Sequence, residues 1–332
     1  MNYQKLFKDS WKNYYELLSN FNEPDSFKIL LYHGVSSIKS NGIENYALKH
    51  IDQESFYNQM TFLKKKCNVL SIEELLELIK LNDTPRKNSV LITFDDGYEN
   101  NFSVAAPILD ELNLPATFYI STGLIDSSMM FWTDILEDCF NRTTVTSFDL
   151  KLGKKIIKLR LNNFLEKIKS LQLVKKYCKS CSKNEKDEIV DSIILSTKIK
   201  PSEHSSLNYK KLNWKQIKKM DSNHLFTIGG HSTYHDILSL QSIENAKKDI
   251  NLSIDLLEYN LQRKVFDYSY PEGQRNHYNK KIKDFLKKKK IRFCPSAITG
   301  VNKFNDNLFD LKRIMVGFWN LPFPFFDKNL GK

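Results

Sequence analysis

Two patterns of apolar residues take turns along the chain from about Lys28 onward. One is a short unbroken apolar run, as in strands buried on both faces. The other recurs every three or four positions, as in helices with one apolar side. "KILLYHG" reads as a buried strand, Ile29 to Tyr32, ending at His33-Gly34. "NVLSIEELLELIK" reads as a short strand and then a helix, with Ser71 and Glu74 at capping-box spacing. "SVLITFDDG" is the clearest strand; Phe102 to Leu112 reads as the helix after it, with Pro107 complicating its middle. "PATFYIST" is another strand. After a gap the rhythm resumes with "LNWKQIKKM" (helix), "LFTIGG" (strand) and "SIENAKKDINLSIDLLEYNL" (helix). "VFDYSY" (strand), "YNKKIKDFLKKKK" (helix), "IRFCPSA" (strand) and "LKRIMV" (strand) complete it. Repeated strand–helix units predict an α/β fold: a parallel sheet covered by helices, open or closed into a barrel.

The gap, residues 131–208, is Lys-rich and mostly helical in period, as in "RLNNFLEKIKSLQLVKKY". It reads as a helical insertion between strands. Residues 1–25 place Tyr3, Phe7, Trp11, Tyr14, Leu18 and Phe21 at helical spacing among lysines. This predicts an amphipathic helix that packs on the domain or lies on a membrane surface. The predicted organisation is that helix, a barrel over 26–320 and an aromatic tail over 321–332.

Composition narrows the partners. At 332 residues, 41% hydrophobic and 12% aromatic, the chain buries a full core and is not disordered. The net charge of +11 invites an acidic partner, although Lys is also the ordinary solvated surface residue. No nucleic-acid motif accompanies the charge, so nucleic acid is not expected as a partner, and with no GxGxxG or P-loop a nucleotide-binding sheet has no support. Five scattered cysteines do not suggest a disulfide framework, and Cys178-x-x-Cys181, without a second pair or nearby His, is a weak metal signal. There is no apolar leader with a cleavage site and no run of about 18 apolar residues. The expected location is the cytoplasm, or the inner face of the membrane as a peripheral protein.

In parallel α/β folds, chemistry collects at the C-terminal ends of strands. Four such ends carry suitable groups: His33, Asp95-Asp96, "HSTYH" with His231 and His235, and Pro271-Glu272-Gly273. His231 and His235 are four apart, so on one helical turn their imidazoles would face the same way. Two imidazoles and one carboxylate form the usual three-ligand set of a catalytic zinc. Adjacent Asp95 and Asp96 then divide the labour: one binds the metal, the other stays free to take a proton from water. An ordinary strand-to-helix turn capped by an Asp would account for the acids but not for HSTYH.

"TFDDG" and "HSTYH" together resemble the first two motifs of the polysaccharide deacetylases (NodB-homology, carbohydrate esterase family 4). "LLYHGV", "LPATFYISTG" and "YSYPEG" resemble further family segments, the last a YPxG variant of the third motif. "SAITGVN" with "LKRIMV" resembles the end of a subgroup linked to cell-surface glycan synthesis. The resemblance spans roughly Ile29 to Val316. It implies a distorted (β/α) barrel of about seven parallel strands and metal-dependent removal of an acetyl group, usually the N-acetyl of an amino sugar. It implies Asp96, His231 and His235 as ligands of one divalent metal, zinc first, and Asp95 as general base. Ser232 or Thr233 would position the loop. Tyr270, Glu272 and Gly273 would form the substrate loop, with the Glu272 N–H on the oxyanion.

Two departures stand out. The third-motif Arg that pairs with the base falls at Ser269, so the cation is missing or comes from elsewhere, with Arg313 and Arg275 as candidates. No late LxxH supplies the general acid, and His33 is the best replacement. Trp132, Trp214 and Trp319 could stack on sugars but suit core packing better. The expected partner is a carbohydrate, in a surface glycan or a lipid- or nucleotide-linked precursor, with peripheral membrane contact suited to an anionic lipid carrier. Alternatives are a deformylase or other C–N hydrolase on the same scaffold, or a catalytically impaired glycan-binding protein.

Overall fold

The structure is a computed structural model that describes residues 25–83 and 86–317. The expected N-terminal helix and aromatic tail, with Trp319, lie outside these residues apart from Asp25. Within them the order is β1 (Ser26–Tyr32), β2 (Gly34–Ser36), β3 (His50–Asp52), α1 (Gln53–Lys66), β4 (Asn68–Val69), α2 (Ile72–Leu81) and β5 (Ser89–Phe94). Then come α3 (Ala106–Glu111), β6 (Ala116–Ile120), α4 (Trp132–Arg142), β7 (Ser147–Leu152), β8 (Lys155–Arg160), α5 (Phe164–Cys178) and α6 (Lys183–Thr197). The last group is α7 (Trp214–Asp221), β9 (Phe226–Gly230), α8 (Ile243–Leu261), α9 (Lys280–Lys288), β10 (Asn302–Lys303) and β11 (Ile314–Met315).

The unbroken apolar runs are buried on both faces: every residue of β1, β5 and β6 is buried. They pair in the order β1-β5-β6-β9, all parallel; on the other edge of β1 lie antiparallel β10 and, further along, parallel β11. Tyr32 lies opposite Phe94, Phe94 opposite Phe118 and Ile120 opposite Gly230. The strands therefore end at nearly one level, and the residues just beyond them share a face. Aromatic rings stack under that face, with Phe94 5.3 Å from Tyr32 and 4.9 Å from Phe118.

The helices start where the sequence signals them. Ser71 and Glu74 form the capping box of α2, with the Glu74 N–H donating to Ser71 Oγ at 3.1 Å. Pro107 does not interrupt its helix. It falls in the first turn of α3, where a missing N–H costs nothing, and a single π-turn over Asn101–Ala105 leads in.

The parallel sheet covered by helices is as expected, although a continuous ladder does not close the barrel. "VFDYSY" and "IRFCPSA" contribute isolated bridges, Gly230–Tyr268 and Asp267–Phe293, rather than full strands. Each segment runs at once into a proline, Pro271 or Pro295, which has no N–H to extend a ladder. The insertion departs from expectation: it is not wholly helical. β7 and β8 form an antiparallel hairpin with Leu150 opposite Ile157, and Gly153 opens its two-residue turn at φ +60°. The insertion also has its own core, in which Leu150, Leu152 and Leu159 of the hairpin meet Phe140, Leu171, Val174 and Ile193 of α4, α5 and α6. Cys178 and Cys181 lie in this core as free thiols, and burial pushes the Cys178 thiol up to about 12. Among the described residues they join no group of three or more metal-ligating side chains. Among the described residues no helix is long and apolar enough to cross a membrane.

Candidate active site

Asp95 extends β5, its N–H donating to the Tyr32 carbonyl at 3.0 Å. Asp96 then turns into the left-handed region at φ +81°, followed by Gly97 at +89°, a conformation Asp tolerates better than most side chains. This sharp turn separates the two carboxylates. Asp95 meets Arg313, whose Nη1 and Nη2 donate to its two oxygens at 2.8 and 2.6 Å. The guanidinium is fully buried, and its Nε donates to the Ser296 carbonyl at 2.6 Å. It also donates to Ser269 Oγ at 2.9 Å, so it reaches the acid past the small side chain at the position where the third-motif Arg was expected. Arg275, the other candidate, is exposed. Burial would raise the Asp95 pKa, but the Arg313 charge and hydrogen bonds override it and hold the carboxyl at about 2.

Asp96 meets the two histidines. Its Oδ1 lies 3.6 Å from His231 Nε2 and 3.2 Å from His235 Nε2, and one donor atom from each residue falls within 4.8 Å of the others. His231 Nδ1 faces the Ser269 carbonyl at 2.9 Å. A carbonyl only accepts, so Nδ1 carries the proton and Nε2 turns a lone pair to the site. Burial lowers both histidine pKa values and keeps the rings neutral. Asp96 Oδ1 is buried without a hydrogen-bond partner, and burial pushes the carboxyl up to about 7. Two neutral imidazoles and a buried carboxylate oxygen lacking a donor form a donor set that fits a divalent cation. Among the described residues this is the one such cluster.

The two histidines do not sit on a helical turn. Residues 231–235 form a loop, with Ser232 at φ +63° and His235 at +59°. Ser232 Oγ accepts the His235 N–H at 2.9 Å. The Thr233 N–H donates to Asp249 Oδ1 at 2.9 Å, and its hydroxyl to the Asp249 backbone carbonyl at 3.0 Å. Asp249 on α8 thus pins the loop. Nothing in the sequence singled it out, because it lies mid-helix, sixteen residues away.

The third-motif loop divides. Tyr270 is buried away from the cleft, stacked on Tyr278 at 3.9 Å, with its hydroxyl donating to the Phe309 carbonyl. It is a packing residue rather than a lining one. Gly273 sits at φ +55°, and a Cβ there would come 2.5 Å from the Ala297 nitrogen, so only glycine fits. Glu272 does line the cleft. Its N–H makes no backbone hydrogen bond among the described residues, and its carboxylate pairs with Lys179 at 2.6 Å. Burial acts against that carboxylate, but Lys179 and His235 hold it at about 2.

A cleft of about 490 Å³ opens over these groups and is also lined by His33. Burial lowers the His33 pKa to about 3, against the pull of Asp95, so the ring is neutral. The insertion reaches this cleft, a feature its helical period did not signal. Lys179 just after α5 pairs with Glu272. Lys186 on α6 forms a buried ion pair with Asp236, next to His235. Trp132 packs against the insertion core and carries Lys186 over its ring at 5.8 Å, while Trp214 packs on the core under the sheet.

The family model for polysaccharide deacetylase matches residues 82–151 and 184–294, more than half of the chain. It includes Asp95, Asp96, His231, His235 and Glu272; His33 and Arg313 lie outside it. Among curated proteins, YxkH of Bacillus subtilis (strain 168) is 29% identical over 99 residues, 30% of this chain and 33% of that protein. The poly-β-1,6-N-acetyl-D-glucosamine N-deacetylase of Staphylococcus aureus (strain MSSA476) is 38% identical over 85 residues, 25% of this chain and 28% of that protein. The chain thus spans a third or less of the curated relatives it matches. Among solved structures, the Streptococcus pyogenes deacetylase PplD in complex with acetate has a TM-score of 0.58 at 19% identity, over 90% of this chain and 95% of that one. IcaB from Ammonifex degensii has a TM-score of 0.56 at 15% identity, over 88% and 92%. These structures share the fold. With the family model covering both the acid pair and the histidine loop, the chain belongs to the polysaccharide deacetylase family.

Proposed function

We propose that the protein is a polysaccharide deacetylase that hydrolyses the N-acetyl amide of an amino sugar in a cell-surface glycan or its precursor. The observation that carries this reading is the unpartnered Asp96 oxygen facing two neutral imidazoles, beside an ionised Asp95 in the same cleft. Asp96, His231 and His235 would hold a divalent cation, with zinc first for this donor set. When bound, such an ion supplies Lewis acidity, favouring ionisation of water and polarising a carbonyl oxygen.

Asp95 would accept the proton of the attacking water. Arg313 keeps it ionised throughout the neutral range and fixes the direction of both its oxygens. The Glu272 N–H would donate to the oxyanion, as its lack of a backbone acceptor supports. His33, neutral at rest, would relay to the leaving amine nitrogen the proton that Asp95 takes from water, so that both groups return to their starting state as the C–N bond breaks. The amide, not the glycosidic bond, breaks, releasing acetate and a free amine.

Fragments of poly-β-1,6-N-acetylglucosamine are the first substrates to test, following the name of the staphylococcal relative. With zinc added, the protein should release acetate from them. Asp96→Ala should lose both metal and activity. Asp95→Asn should keep the metal and lose about 10²–10⁴-fold in rate. Full activity in both variants would sink the assignment.

A further inference from the structure

The helix α5 brings into the catalytic cleft two charges that the protein itself leaves without a carboxylate. Gln172, Lys175, Lys176 and Lys179 all line the cleft with the candidate ligands, and their spacing puts them on one side of the helix. Lys179 is committed to Glu272 and Lys49, the other lysine of the cleft, to Asp134. Among the described residues, Lys175 and Lys176 have no carboxylate within 4.0 Å. Lys175 Nζ instead lies 5.5 Å from the centre of the Tyr46 ring.

The acids of the cleft are engaged elsewhere. Arg313 holds Asp95, Lys179 holds Glu272, and Asp96 faces the histidines. Glu137, the acid acting most strongly on Lys175, already accepts the Asn45 N–H at 2.9 Å and the Tyr209 hydroxyl at 3.2 Å. Burial lowers the Lys175 pKa to about 8, with Glu137 opposing. An ammonium partly withdrawn from water and short of a counter-ion costs free energy unless a ligand brings one.

The chemistry of that ligand is constrained. Ammonium groups are compact charges with rotatable donors that can turn to the several oxygens of a tetrahedral phosphate, the more highly charged of the common biological anions. The family model skips residues 152–183, which contain the whole of α5, so this face is separate from the matched scaffold.

We propose that Lys175 and Lys176 form an anion subsite for a phosphate group on the amino sugar, so that the substrate class is a phosphorylated N-acetylamino sugar. The proposal rests on the deacetylase reading for the placement of the acetyl group. The phosphate comes either from a monoester or from the bridge to a nucleotide or lipid carrier.

The test uses the zinc-loaded full chain. Methyl N-acetylglucosaminide, N-acetylglucosamine 1-phosphate and UDP-N-acetylglucosamine are compared by calorimetry and by acetate release. At low salt at least one phosphorylated sugar should bind about tenfold or more tightly than the uncharged one. The advantage should shrink as sodium chloride is added. A lead of the monoester over the diphosphate, or the reverse, separates the two sources. The Lys175→Gln, Lys176→Gln double variant should lose at least tenfold more affinity for the phosphorylated sugar than for the uncharged one, and the double Arg variant should recover most of it.

Equal binding of charged and uncharged sugars would overturn the subsite. So would an advantage that survives in the double Gln variant, as phosphate bound at the metal would. Acetate release from the uncharged sugar under those results would leave the deacetylase reading standing. Lysine-dependent phosphate binding without acetate release from any probe would sustain the subsite and count against deacetylation.

Discussion

The parallel sheet and the insertion border the same cleft but are built by different rules. The sheet is an aligned set of buried strands. Its side chains at the cleft are set by register, and Arg313, buried behind Asp95, is bonded to that carboxylate, to Ser269 and to the Ser296 carbonyl. The insertion folds around its own core and presents a lysine face to the cleft with charge to spare. The family model covers the sheet segments that carry the acids and the histidines, and it passes over 152–183. The residues proposed for the reaction thus sit on the main core, where strand register sets which side chains meet. The lysines proposed to select the substrate sit on the insertion, which has a core of its own.

Removing Arg313 breaks the sheet side of this contrast most severely. Arg313→Met leaves a buried carboxylate without its counter-charge and should cost about 3–5 kcal/mol, measured by denaturant unfolding. Its pH dependence has a definite sign. In the natural protein the folded pKa of Asp95, about 2, lies below the unfolded value of about 3.9. Its stabilisation is complete above the unfolded value and is lost as pH falls through about 2. In the variant, burial, the largest influence on this carboxyl, is no longer countered by Arg313 and raises the folded pKa. Stability should then fall as pH rises through the carboxylate range, and the acid limb of the rate profile should move upward. An unchanged acid limb would mean that Asp95 is not the base.

A milder effect tests whether the insertion supports the site as well as bordering it. Lys186→Met removes the ion pair that anchors Asp236 beside His235, although Lys183 stays 3.5 Å from that acid. Zinc affinity should fall about 10- to 100-fold by competition with a chelating dye, as when partners behind metal ligands are lost. Wild-type zinc affinity would show that the insertion only borders the site.

The smallest effect belongs to the cysteine pair. Cys178→Ala should lower stability by about 1 kcal/mol through lost packing in the insertion core, with zinc content unchanged by elemental analysis. Loss of a second zinc equivalent would reinstate the CxxC as a ligand pair.

The same contrast explains what could be read from the chain. β1, β5, β6 and β9 are clear because a strand covered on both faces is mostly apolar, even though β1 buries Lys28 and β5 buries Thr93. The hairpin in the insertion carries a weaker signal: Phe148, Leu150 and Leu152 alternate with polar residues, but the lysine-rich helical period around them masks it. The histidine loop was placed but its conformation was not. HxxxH spacing suits a helical turn, whereas here it is satisfied by left-handed residues at Ser232 and His235.

The sequence by itself determined the inventory: two adjacent acids at a strand end, two histidines four apart, and the alternation that puts them on one face. Spacing along the chain carries that information because strands and helices have fixed periods. Tertiary structure decided the partnerships. Arg313 reaches Asp95 across 218 residues, Asp249 pins the histidine loop from mid-helix, and α5 turns its lysines to the cleft. No local period encodes such contacts, because packing brings together residues that are remote in sequence.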